Sequence, residues 1–262
     1  MLTISLHKGD NFDESFYQSY SKFKHGSKTC AREFGHQVAK VCEFTPNSSL
    51  IFYSAPYNNI GTASNAFKDY LLSGLSNQFL NKSITVKQGK ITREYSYDDD
   101  YGLMNKEQRE AAISSDIFSI DKEFINPDDI LVFVDDIKIT GSHEKRIKEV
   151  LVRESIPNEI IFIYIAQYEG NSPQIENLLN HFLIKDLKDI NRVIRNEEFI
   201  FNTRVVKFIL KADIEHFVSF ITYQSQVFTE TLFSLAILNN YHNNPKYKNN
   251  FQILKNIIDD EN

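Results

Sequence analysis

Residues 130–144 read Ile130-Leu-Val-Phe-Val-Asp-Asp-Ile-Lys-Ile-Thr-Gly-Ser-His-Glu144. The run Ile130 to Val134, too short for a helix and rich in β-branched side chains, predicts a strand buried on both faces. Asp135 and Asp136 follow at its carboxyl end. A short loop with Thr140, Gly141 and Ser142 comes next, and then a helical pattern over 142–155 in which Ile147, Val150 and Leu151 share a face. Ligands of an open parallel sheet bind beyond the carboxyl ends of its strands, where these acids emerge. The helix start offers backbone N–H groups and a positive dipole end suited to a phosphate; Gly141 lets the backbone approach closely, and Thr140 and Ser142 add hydroxyl donors. Acids beside a phosphate cradle make sense if they face sugar hydroxyls or a Mg²⁺ on the same ligand, because a carboxylate accepts hydrogen bonds from a diol and hard cations take oxygen ligands. Asp, Thr and Ser are also ordinary turn and capping residues, so the string admits a purely structural reading as well.

Two further apolar runs, Leu50 to Ser54 and Ile160 to Ala166, predict buried strands of the same kind, and helical patterns cover 31–44 and 62–80. Strands alternating with helices predict an α/β fold with a parallel, doubly wound sheet. After Tyr168-Glu-Gly-Asn-Ser-Pro173 the texture changes. Ile175, Leu178, Leu179, Phe182, Leu187, Ile190 and Ile194 keep a period near 3.6 residues, which predicts one long amphipathic helix; further helical patterns cover 205–223, 227–239 and 251–258. Phe199 to Phe201 and Val205-Val206 fit strand as well as helix. The expected organisation is an α/β core over 1–168 and a mainly helical extension over 169–262.

Composition narrows the class of protein. Nine Gly and six Pro in 262 residues, with 42% hydrophobic and 13% aromatic residues, exclude collagenous, low-complexity and largely disordered chains. Cys30 and Cys42 give no disulfide framework and no zinc spacing, and the seven His form no HExxH pattern, so a reduced, cytoplasmic protein without a zinc site is expected. The first ten residues lack a basic segment followed by an apolar one, and the longest apolar run, Ile160 to Ala166, is far shorter than a bilayer span; neither secretion nor a membrane partner is expected. A net charge of −6 without a dense basic run argues against a nucleic-acid partner.

The strand, acid pair and Thr-Gly loop of 130–144 resemble the phosphoribosyl pyrophosphate (PRPP) motif of type I phosphoribosyltransferases, although the family pattern has Thr where this chain has Ile139 and His143. Three other segments resemble the ComF-like branch, in the expected order. Phe23-Lys-His-Gly-Ser-Lys28 with Ala31 to Ala39 is similar to its early basic-Gly turn and helix. Ser54 to Phe67 falls at its pyrophosphate loop. Residues 91–95, 101–109 and 115–118 resemble its mobile hood, within about 88–120. The resemblance covers residues ~20 to 168 and says little about the rest.

What the resemblance implies is a Mg²⁺-dependent transferase that moves the 5-phosphoribosyl group of PRPP to a small nitrogen acceptor, with a homodimer as its assembly. Asp135 and Asp136 would hold ribose hydroxyls or metal-bound PRPP. The loop of Lys138, Ile139, Thr140, Gly141, Ser142 and His143 would anchor the 5′-phosphate, with Lys138 either on the phosphate or in solvent. Ala55, Pro56, Tyr57, Asn58 and Asn59, together with Arg93 and Arg109 of the hood, would cradle pyrophosphate. No Lys or Arg stands between Ser54 and Phe67, so donors there would have to be the amides of 57–59 and the side chains of Asn58, Asn59, Thr62 and Ser64. That gap motivates a competing reading, a PRPP or nucleotide sensor that keeps the cradle without turnover. A third reading is an interaction protein whose helical part binds a partner chain.

Overall fold

The three apolar runs form the middle of one sheet. The computed structural model describes residues 1–93, 118–172 and 174–261. Its strands are β1 (Leu2–Gly9), β2 (Ser49–Ser54), β3 (Thr85–Gln88), β4 (Ile91–Arg93), β5 (Phe118–Ile120), β6 (Asp129–Lys138) and β7 (Ile160–Tyr168). Five of them make a parallel sheet in the order β1-β7-β6-β2-β3, while β4 and β5 pair antiparallel. The outer strands β1 and β3 add to the three that hydrophobicity picked out. They are partly exposed edges, so neither carries a continuous apolar run.

Alternation across the sheet explains why both faces are covered. Leu50, Phe52, Val132, Val134, Ile161 and Ile163 point to one face, and Ile51, Tyr53, Leu131, Phe133, Phe162 and Tyr164 to the other. The first face packs on α1 (Glu14–Lys24), α2 (Lys28–Ala39) and α3 (Ala63–Asn81), through Tyr20, Phe34, Val38, Phe67 and Leu71. The second packs on α4 (Ser142–Arg153), through Ile147, Val150 and Leu151, and on Ile91 and Phe118 of the β4–β5 pair. The sheet is therefore doubly wound, as expected. Asp13 starts α1 by accepting from the Phe16 amide at 2.7 Å, and Ser27 starts α2 by accepting from the Cys30 amide at 3.1 Å.

The single helix expected over 175–194 is two, α5 (Ile175–His181) and α6 (Leu187–Asn196). Ser21 of α1 breaks it: its hydroxyl donates to Asn180 O at 2.8 Å and accepts from the amides of Leu183 and Ile184 at 3.2 Å each. Asp186 then caps the new helix at the amides of Lys188 and Asp189. The pattern over 205–223 divides likewise into α7 (Thr203–Leu210) and α8 (Ile214–Ile221), because Asn250 donates to the carbonyls of Leu210 and Ala212, and Asp213 caps α8. Helices α9 (Gln226–Leu238) and α10 (Lys248–Glu261) complete the chain. Among the described residues no helix is long and apolar enough to cross a membrane.

The C-terminal helices gather around Ile190, Val206, Ile209, Phe217, Leu232, Tyr247 and Leu254, a second apolar cluster that also takes in Ile60. Ile175 and Leu179 of α5 instead join the first cluster, beneath the sheet. Residues 198–200 are extended, with Lys28 N–H donating to Glu198 O and Ile200 N–H to Gly26 O, whereas Val205 and Val206 lie in α7. Gly26 has φ +95°, and a Cβ there would stand 2.5 Å from Ile200 O, so this junction between the first helices and the C-terminal half requires glycine.

Candidate functional site

The order of the parallel sheet sets where a ligand enters. From β2 the chain steps outward to β3, then returns to the other side of β2 as β6 and continues outward through β7. The reversal lies between β2 and β6, and the crevice beyond the carboxyl ends of two such strands is where open α/β sheets bind ligands. A cavity of about 150 Å³ occupies that crevice. It is lined by Ala55, Thr62 and Ser64 after β2, by 135–144 at the end of β6 and just beyond, by Tyr164 of β7, and by Lys24 and Glu176 from α1 and α5.

Both acids reach this cavity because β6 outlasts its neighbour. The β2–β6 pairing stops at Ser54 and Val134, while β6 continues on β7 alone, with Asp135 opposite Tyr164. Asp135 accepts from Ser64 Oγ at 2.9 Å on one oxygen and faces His143 Nδ1 at 3.0 Å on the other. Asp136 forms an ion pair with Lys24 and accepts from the amide of Ile137 at 2.8 Å. Burial disfavours ionisation of Asp135, but the hydrogen bond and charge of His143, with Lys24 nearby, outweigh it and hold its pKa below the ordinary carboxylate value. Partial burial likewise disfavours the His143 imidazolium, and the Asp135 carboxylate outweighs it and raises the histidine's pKa. Beneath them lies Tyr20, fully buried, its phenol pushed well up by burial and by Asp136, Glu176 and Asp135.

The loop before α4 turns on a glycine at the helix N-terminus. Gly141 sits at the N-cap with φ +72°, a left-handed conformation that favours glycine. The ladder of α4 opens with Lys145 N–H donating to Gly141 O at 2.9 Å, so the amides of residues 142–144 precede it at the positive end of the helix. The hydroxyls of Thr140 and Ser142 lie 2.7 Å apart at the same turn. Lys138 lines the cavity with its ammonium paired with Glu144 at 2.6 Å, and Lys148 holds the other Glu144 oxygen at 2.6 Å. Glu144 is buried, which explains why it holds two lysines.

Of the expected pyrophosphate loop, Ala55 lines the cavity and Pro56 to Asn59 do not. The donors expected of it are mostly engaged inside the protein. The Tyr57 amide donates to Ile91 O at 3.2 Å, the Asn59 amide to Asn239 Oδ1 at 3.1 Å, and Asn59 Nδ2 to Leu238 O at 2.5 Å. Lys90 donates to Asn58 O at 2.5 Å and lies over the Tyr57 ring. Thr62 and Ser64 do line the cavity, with Ser64 on Asp135. Arg93 sits in β4, its amide on Tyr57 O at 3.1 Å. Arg109 lies outside the described residues, as does most of the expected hood.

Sequence reasoning placed Asp135, Asp136 and 138–143 together, and the structure brings them to one cavity. It missed Lys24, Tyr164 and Glu176 as lining residues. The only signal for Lys24 was its place in the early basic-Gly turn, and none marked the other two. Among the described residues no cluster of three or more His, Cys, Asp or Glu is arranged to hold a metal by itself. Asp135 and Asp136 are oxygen donors of the cavity that could contribute to holding a hard divalent cation, the rest of its shell having to come from elsewhere.

A family model described as PRTase ComF-like matches residues 2–254 of the 262. The chain belongs to the ComF-like phosphoribosyltransferase family. The match runs well beyond the segments that carried the resemblance in the sequence, through the C-terminal helices as far as α10. In this ComF-like phosphoribosyltransferase family member, the cavity with two acids and a helix N-terminus lies at the sheet's reversal point, where open α/β sheets bind ligands. Comparison with curated proteins gives no match.

Proposed function

We propose that this ComF-like protein transfers the 5-phosphoribosyl group of PRPP to a small, base-like nitrogen acceptor and releases pyrophosphate. The observation that carries the reading is one cavity holding the Asp135–Asp136 pair and the N-terminus of α4 side by side. The amides of the first turn of α4, with Thr140 and Ser142, receive the 5′-phosphate. Asp135 and Asp136 accept hydrogen bonds from the ribose hydroxyls, or hold Mg²⁺ carried on the ligand, which supplies positive charge against the diphosphate. In the transfer the bond from ribose C1 to the diphosphate oxygen breaks, its electron pair leaves with pyrophosphate, and a C1–N bond forms. No protein nucleophile is required, so rate comes from positioning and from stabilising separated charge. Lys24 and His143 fix the two carboxylates for that task.

Pyrophosphate release measured against a panel of purine, pyrimidine and simple amine acceptors tests the proposal. Release that depends on both PRPP and one acceptor supports it, and binding of PRPP without release from any acceptor counts against transfer. A second reading, a PRPP or nucleotide sensor, is favoured by one specific observation. The amides of Tyr57 and Asn59 are engaged inside the protein rather than turned to a leaving diphosphate.

A further inference from the structure

The loop between β2 and α3 is held from two directions. On one side Tyr57 pairs with β4, its amide on Ile91 O and its carbonyl on the Arg93 amide. On the other side the C-terminal helices hold it. Asn239, just past α9, accepts through Oδ1 from the amides of both Asn59 and Ile60, at 3.1 and 3.3 Å. Asn239 is itself oriented, since its Nδ2 donates to the buried Tyr241 hydroxyl at 3.0 Å. Thr203, the first residue of α7, donates through Oγ1 to Ile60 O at 2.6 Å and through its amide to Gly61 O at 2.9 Å. Between these bonds the Ile60 side chain, 3% exposed, is buried in the apolar cluster of the C-terminal helices. The same half also holds Lys24, whose carbonyl accepts from Asn202 Nδ2 at 3.2 Å.

We infer that Asn239 and Thr203 are positioning residues for the cavity: the C-terminal helices fix the segment that joins the wall residues Ala55 and Thr62, and so set how the site receives the diphosphate end of its ligand. Residues 59–61 make six polar contacts with α7 and the end of α9 and insert one side chain into that cluster. Of the wall residues, Thr62 follows the clamped segment directly, while Ser64 and Ala55 lie a short stretch of chain beyond its two ends. A bifurcated acceptor at Asn239 Oδ1 holds two consecutive amides at once, a geometry that an alanine cannot replace and a carboxylate can. For its ligand this inference rests on the reading of the cavity given above; for the loop it does not.

The test compares wild type with Asn239→Ala, Asn239→Asp and Thr203→Val as full-length chains. Amide hydrogen exchange of the 55–62 segment is read without ligand, with the exchange of β6 and β7 as the control for global folding. Two lost hydrogen bonds correspond to roughly tenfold faster exchange in Asn239→Ala, with Asn239→Asp close to wild type and Thr203→Val between them. Titration with PRPP and with ribose 5-phosphate is the second arm. Asn239→Ala weakens PRPP about tenfold and ribose 5-phosphate less than about threefold, because the sugar monophosphate reaches only the acids and the 138–143 loop. Unchanged exchange at 55–62 in both Asn239→Ala and Thr203→Val overturns the inference, and so does equal weakening of the two ligands. If neither ligand binds folded wild type, the reading of the cavity fails, while the exchange arm still decides whether Asn239 positions the loop.

Discussion

Lys24 and Asp136 form an ion pair across 112 residues of sequence, with side chains 14% and 9% exposed. The pair joins the last turn of α1 to the extended end of β6, and it places a protein cation in the lining of the candidate site. Lys24 therefore carries a structural role as well as an electrostatic one. Its replacement leaves a nearly buried carboxylate without its partner, which costs more than the pair contributes.

Lys24→Met is expected to lower folding stability by about 2–3 kcal/mol, below the range for a fully buried pair because some solvent reaches both groups. Adding Asp136→Asn to it recovers part of the loss, since no charge is then stranded. Urea titrations of the two variants and wild type check this. A single variant as stable as wild type would show that the pair does no more than an exposed surface bridge.

A second prediction concerns pH. His25 is fully buried, its Nδ1 faces Ser21 O at 2.9 Å and its ring packs on Phe208. Burial, with Arg204 and His181 nearby, lowers its pKa from 6.5 to about 3. Between those values the unfolded chain binds a proton that the folded chain refuses, so stability falls as pH drops from about 6.5 towards about 3. His25→Phe removes that proton. From pH 7 to pH 4 wild type should lose about 3 kcal/mol more than the variant. Parallel stability curves would contradict the assignment of a buried neutral imidazole.

Chelation separates the two ends of the ligand. If Mg²⁺ comes in on the diphosphate, excess EDTA weakens PRPP binding by about tenfold or more and leaves ribose 5-phosphate within about threefold. Calorimetric titration of both ligands with and without chelator reads this directly. Equal affinity for PRPP in the two buffers would remove Mg²⁺ from the proposal.

The parts of this architecture that were legible in the sequence are those whose signal is local. β2, β6 and β7 show as continuous apolar runs because both their faces are buried, and the 135–143 turn shows because acids, hydroxyls and Gly141 stand in one string. The edge strands β1 and β3 are half exposed and short of apolar residues, so the same criterion passes over them. The breaks in the C-terminal helices depend on Ser21 and Asn250, side chains far away in sequence, while the apolar period continues through each break. For the same reason Glu176 reaches the cavity without any motif to announce it, and Lys24 with no signal beyond its place in the early basic-Gly turn. Lys138 stands in the right string and still serves Glu144, because which partner a lysine takes is decided by packing rather than by spacing.

The central claim is that Asp135, Asp136 and the 140–143 turn form one phosphoribosyl-binding site. Isothermal titration of Mg²⁺-PRPP into wild type and into Asp135→Asn/Asp136→Asn tests it most directly. The account predicts saturable binding to wild type that the double variant weakens by about a hundredfold or more, two charge-assisted contacts being lost. No binding to folded wild type, or equal binding to the two proteins, would contradict it.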